Sequence, residues 1–80
     1  MMVKSIKPVK RYWLVELRQA KGLKTRNMAE IFGISFQHYN DIETGRRNPS
    51  FELCQEIAEF FDCPIEKFFE NRTKFIKGEN

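Results

Sequence analysis

Thr25 to Thr44 reads T-R-N-M-A-E-I-F-G-I-S-F-Q-H-Y-N-D-I-E-T, and the spacing within this stretch decides the fold. Ala29 is followed four residues later by Gly33, and then by apolar Tyr39 and Ile42. A small residue at 29 suits a point where two helices cross closely, because little more than a methyl fits there. Glycine at 33 ends the first helix in the left-handed conformation, which costs other residues energy. Met28, Phe32, Ile34, Tyr39 and Ile42 supply a shared apolar face beneath both helices. The pattern predicts two short helices joined by a tight turn, with the second held outward.

Working outward, residues 1–9 have no helical period and contain Pro8, so they read as a basic, mobile arm. A first helix is expected from about Lys10 to Lys21, with Trp13, Leu14 and Leu17 on one face and Gly22 as its stop. The second runs from about Thr25 to Phe32. The third follows Ser35, an N-cap, and ends near Thr44 with Gly45 after it. Ser50 caps a fourth helix whose apolar stripe is Phe51, Cys54, Ile57, Ala58 and Phe61. A short fifth helix is expected after Pro64, using Ile65, Phe68 and Phe69. Strand patterns and repeats are lacking, and the fold class is all-α, about five short helices around the central pair.

Eighty residues make one small domain that must bury most of its apolar side chains, its eight Phe among them. Cys54 and Cys63 lie beside core positions and read as small buried hydrophobes, not as a disulfide scaffold or metal site. The apolar stretch Tyr12 to Val15 is too short for a signal or transmembrane segment, which points to a cytoplasmic protein without membrane contact. Net charge is +3, but residues 1–47 hold ten Lys or Arg against four acids, +6, while residues 48–80 hold four against seven, −3. A basic half that carries the outward helix is the polarity of a polyanion binder.

From Leu17 to Phe69 the chain resembles the phage-repressor and Cro type of helix-turn-helix domain, the XRE family. The resemblance rests on L-R-Q-A-K-G-L (Leu17–Leu23), the Ala29/Gly33 pair, I-E-T-G-R-R-N-P-S (Ile42–Ser50) and I-A-E-F-F-D-C-P-I-E-K-F-F (Ile57–Phe69). It implies a lambda-repressor-like fold with residues 10–70 as the DNA-binding domain and 71–80 as a tail. It also implies a transcriptional regulator of repressor type that binds double-stranded DNA as a homodimer on an inverted repeat, without a cofactor. Four positions depart from the usual family residues: Thr25, Tyr39, Asp41 and Pro64.

With Tyr39 and Ile42 turned inward, Phe36, Gln37, Asn40, Asp41 and Thr44 fall on the outer face of the third helix. The carboxamides of Gln37 and Asn40 match an adenine edge and Phe36 a thymine methyl; Asp41 either accepts from a cytosine amine or pairs with a neighbouring base and keeps phosphates at a distance. Thr25 and Arg26, at a helix N-terminus, and Arg46, Arg47 and Asn48 are the candidate phosphate contacts. Lys4, Lys7, Lys10 and Lys24 are weaker candidates for steering. The resemblance implies a partly buried salt bridge between Arg18 and Glu43 that fixes the reading helix. A dimer surface is expected around the fifth helix with Phe68, Phe69 and Phe75.

Catalytic residues are not evident: His38 is the only histidine, and no metal-ligand spacing, glycine-rich phosphate loop or small-molecule site stands out. His38 reads as an exposed helical residue. The competing reading is a protein-interaction module, such as an antitoxin component, that has lost DNA reading; Asp41 and the Tyr12-Trp13 and Phe75-Ile76 patches favour it.

Overall fold

A computed structural model describes residues 9–69. The tail expected at 71–80, and the arm expected at 1–9 except Val9, lie outside the described residues. Four α-helices follow one another: α1 (Tyr12–Ala20), α2 (Thr25–Phe32), α3 (Phe36–Thr44) and α4 (Phe51–Phe61). They are followed by a 3-10 turn, Ile65–Phe69, and the described residues contain no strand. The chain divides into two compact units at the Asn48–Pro49 bond.

In the first unit α3 packs against both α2 and α1. The α2–α3 corner has the geometry that Gly33 allows, with φ 67° at that residue. The Gly33 N–H donates to the Glu30 carbonyl at 3.3 Å and the Ile34 N–H to the Ala29 carbonyl at 3.0 Å, which satisfies the open end of α2. Ser35 then starts α3, its Oγ accepting the His38 N–H at 3.0 Å. At the start of α2, Asn27 Oδ1 accepts the Lys24 N–H at 2.8 Å. Leu14, Met28, Ala29, Tyr39 and Ile42 are buried, whereas Phe32 and Ile34 are only half-buried. The first helix begins at Tyr12, two residues later than expected, and Arg11 occupies the cap position.

In the second unit Ser50 caps α4 by accepting the Leu53 N–H at 3.2 Å. Leu53, Cys54, Ile57, Ala58 and Phe61 form the buried face. Phe51 is not part of it. As the first residue of α4 it lies at the helix end and is 61% exposed, and Leu53 joins the face instead. The helix closes at Asp62 in the left-handed conformation, with the Cys63 N–H bonded to the Ala58 carbonyl at 2.9 Å. Cys63 is half-buried, and that burial pushes its thiol pKa up.

The expected fifth α-helix is a five-residue 3-10 turn. The Lys67 N–H bonds back three residues, to the Pro64 carbonyl at 3.1 Å, and so short a segment does not sustain the wider α ladder. Phe68 is buried by its own chain, so it cannot belong to an exposed partner surface. Phe75 lies outside the described residues. No described helix is long and apolar enough to cross a membrane.

Candidate nucleic-acid interface

The two faces of α3 differ sharply. On the inner face Tyr39, Ile42 and Glu43 are buried. The Glu43 carboxylate accepts from Arg18 on α1 through two bonds, Nε to Oε2 at 2.6 Å and a terminal guanidinium nitrogen to Oε1 at 3.2 Å. Their side chains are only 12% and 5% exposed. Arg18 also donates to the Leu23 carbonyl at 2.9 Å, which ties the α1–α2 loop to the same pair. The Tyr39 hydroxyl donates to Glu43 Oε2 at 2.7 Å. The unusual tyrosine thus has a partner for its polar end.

The electrostatics agree with the geometry. Glu43's hydrogen bond raises the Arg18 pKa further, outweighing partial burial. Burial, and then the bond to Glu43, raises the Tyr39 phenol well above its ordinary value. Both groups stay protonated donors across the physiological range. α3 is therefore held against rotation by directional bonds, not by apolar contact alone.

On the outer face Phe36 and Gln37 are exposed, and Asn40, Asp41 and Thr44 are half-buried. Gln37 Nε2 donates to Asp41 Oδ1 at 2.9 Å, one helical turn along. This pairing uses one of the two Nε2 N–H groups and leaves the other, with the Gln37 carbonyl oxygen and the second Asp41 oxygen, on the outer face. The Thr44 hydroxyl donates back to the Asp41 carbonyl at 3.2 Å, so its proton is already engaged within the helix. His38, expected to be exposed, is half-buried.

The flanking candidates are distributed as follows. Arg26 is exposed and Thr25 half-buried at the start of α2. Arg46, Arg47 and Asn48 are exposed after α3, and the backbone N–H groups of both arginines donate to the Asp41 carbonyl, at 2.9 and 3.2 Å. Lys24 is exposed, and the Lys10 ammonium lies over the Tyr12 ring, 5.1 Å from its centre.

Arg11 is the residue that sequence reasoning missed. It is 9% exposed, and its guanidinium donates to the Ile42 carbonyl at 2.5 Å, the Arg47 carbonyl at 3.3 Å and Asn48 Oδ1 at 2.9 Å. Its backbone N–H donates to the Glu43 carbonyl at 2.8 Å. Beside it, the Val9 backbone lies against Gly45, whose φ is 85°; a Cβ there would collide with that backbone. No local signal marks Arg11, because its partners are 31 to 37 residues away. Among the described residues no group of three or more His, Cys, Asp or Glu is placed to hold a metal ion.

Comparison with known proteins connects this geometry to relatives. A family model described as helix-turn-helix matches residues 14–68. The HTH-type transcriptional regulator DdrOP3 of Deinococcus deserti is 37% identical over 57 residues, covering 71% of this chain and 44% of that protein. A putative HTH-type transcriptional regulatory protein of Methanocaldococcus jannaschii is 37% identical over 54 residues, 68% of this chain and 17% of the relative. The HTH-type transcriptional regulator PuuR of Escherichia coli is 28% identical over 61 residues, 76% of this chain and 33% of PuuR. The chain thus spans less than half the length of the curated relatives it matches. No solved structure matches it with comparable significance.

Proposed function

The chain belongs to the XRE-type helix-turn-helix family, and from that premise we propose that it is a sequence-reading DNA-binding regulator of repressor type. In this reading α3 enters the major groove of an inverted-repeat operator and the protein acts by occupying the site. The observation that carries the proposal is the contrast across α3: an inner face anchored through Glu43 and an outer face that presents Phe36 and Gln37 to solvent.

Gln37, Asn40 and Asp41 read base edges, and Phe36 meets a thymine methyl. Thr25 and Arg26 on one side, and Arg46, Arg47 and Asn48 on the other, hold phosphates and set the register. The basic segment 1–9 adds long-range attraction to the duplex. One nine-residue reading helix spans few bases, so useful specificity calls for two copies on half-sites ~34 Å apart. Neither cofactor nor catalysis is required, and the setting is the cytoplasm.

Selection of bound sequences from a random duplex pool tests this, with sedimentation of the chain on the selected site. The expected result is a two-fold symmetric consensus occupied by two chains, with binding that weakens steeply as salt rises. One chain on an asymmetric site would refute the homodimer. A second reading is favoured by one feature: the Asp41 carboxylate on the reading face, paired with Gln37. Absence of any salt-sensitive duplex binding would support that reading, a protein-interaction module.

A further inference from the structure

Arg11 precedes α1, yet its side chain ends at the opposite boundary of the reading helix. The last four carbonyls of an α-helix have no partner within the helix. Arg11 supplies donors to two of these at the end of α3, Ile42 through the guanidinium and Glu43 through its backbone N–H. It also brings a fixed positive charge to the negative pole of α3, which would otherwise oppose a phosphate nearby.

The same guanidinium reaches into the Arg46–Asn48 turn. That turn is pinned from both sides: its two arginine N–H groups donate to the Asp41 carbonyl, and the Arg47 carbonyl accepts from Arg11. Asn48 is the telling member. Its Oδ1 accepts from Arg11, which fixes the carboxamide with its oxygen toward the guanidinium and its NH2 on the other side. Phosphate oxygens are acceptors, so a carboxamide held with its NH2 group facing away from Arg11 is the orientation that suits them.

We propose that Arg11 is a positioning residue for DNA binding, which holds the Arg46–Asn48 turn in its phosphate-contacting form and orients the Asn48 carboxamide donors outward. The proposal rests on the DNA-binding reading above. A lysine keeps the charge of Arg11 but offers a compact ammonium in place of a planar fork, and it cannot span acceptors on Ile42, Arg47 and Asn48 together.

The test measures affinity and salt dependence of wild type, Arg11→Lys, Asn48→Ala and the double variant, on a selected site and on a random duplex. Circular dichroism at the same temperature establishes that each is folded. Folded Arg11→Lys should bind both duplexes about tenfold more weakly. Its salt slope should fall by about one unit, because phosphate contacts are lost. Asn48→Ala should weaken both duplexes by a similar smaller factor, and should cost less again in the Arg11→Lys background. Folded Arg11→Lys with wild-type affinity and slope would overturn the proposal, since a merely structural arginine alters melting alone. Should Arg11→Lys not fold, Asn48→Ala decides, as Asn48 is exposed: unchanged binding refutes the positioning role. A wild-type chain without salt-dependent duplex binding would sink the functional reading itself, and this inference with it.

Discussion

The two units of the chain are built from helices of similar length but held by different forces. Residues 49–69 bury Leu53, Cys54, Ile57, Ala58, Phe61 and Phe68. The buried side chains of residues 9–48 include Arg11 and Glu43 beside Leu14, Met28, Ala29, Tyr39 and Ile42. Apolar burial is strong but non-directional, and it tolerates small rotations of a helix about its axis. A buried carboxylate that accepts from Arg18 and Tyr39 does not, because each bond loses strength as its angle changes. The costly polar construction is found where a helix face must point in one direction.

The largest effect that could break this comparison is loss of the buried charge pair. Glu43→Ala should destabilise the chain by about 3 kcal/mol, because it strands the Arg18 guanidinium and the Tyr39 hydroxyl together. Arg18→Ala should cost a similar amount, and the double variant should cost well below the sum in denaturant melts. Small, additive losses of under about 1 kcal/mol would mean that the pair behaves as a surface contact.

Tyr39 gives a smaller, pH-resolved effect. Tyr39→Phe should cost about 2 kcal/mol at neutral pH, the scale of a hydrogen bond to a charged group. The folded phenol pKa is raised, so its contribution is complete below the unfolded value near 10. Above that pH the unfolded tyrosine releases its proton while the folded one keeps it, and stability falls as pH rises. Melts between neutral and alkaline pH should show this fall in wild type and a shallower one in Tyr39→Phe. Equal slopes would remove the phenol from the account. In the second unit, Ile57→Val should cost only about 1 kcal/mol, as removal of one buried methylene does, with no pH dependence.

Much of this was legible in the residues, and for local reasons. Gly33, Ser35 and Ser50 act through partners within a few positions, so the turn and both caps could be read directly. The Gln37–Asp41 pair carries a signal too, a spacing of four on one helix, but the outer-face reading treats the two as separate residues and misses it. Phe51 was misplaced because the apolar period says nothing about which turn of a helix is covered. The segment after Pro64 has helical residues but too little length to become an α-helix. Arg11 was illegible for a different reason: an arginine beside Lys10 reads as one more surface cation until the fold brings α3 to it.

The central claim is that α3 reads bases while its flanks hold phosphates, and one paired measurement tests it most directly. Affinities of Gln37→Ala and Arg46→Ala are taken on the selected site and on random duplex across a salt series. Arg46→Ala should weaken both duplexes by a similar factor and lower the salt slope by about one unit. Gln37→Ala should cost about 1–3 kcal/mol on the selected site and little on random DNA, with preference relaxed at one base pair. If Gln37→Ala weakens both duplexes equally, α3 is not the reading element, and the account fails at its centre.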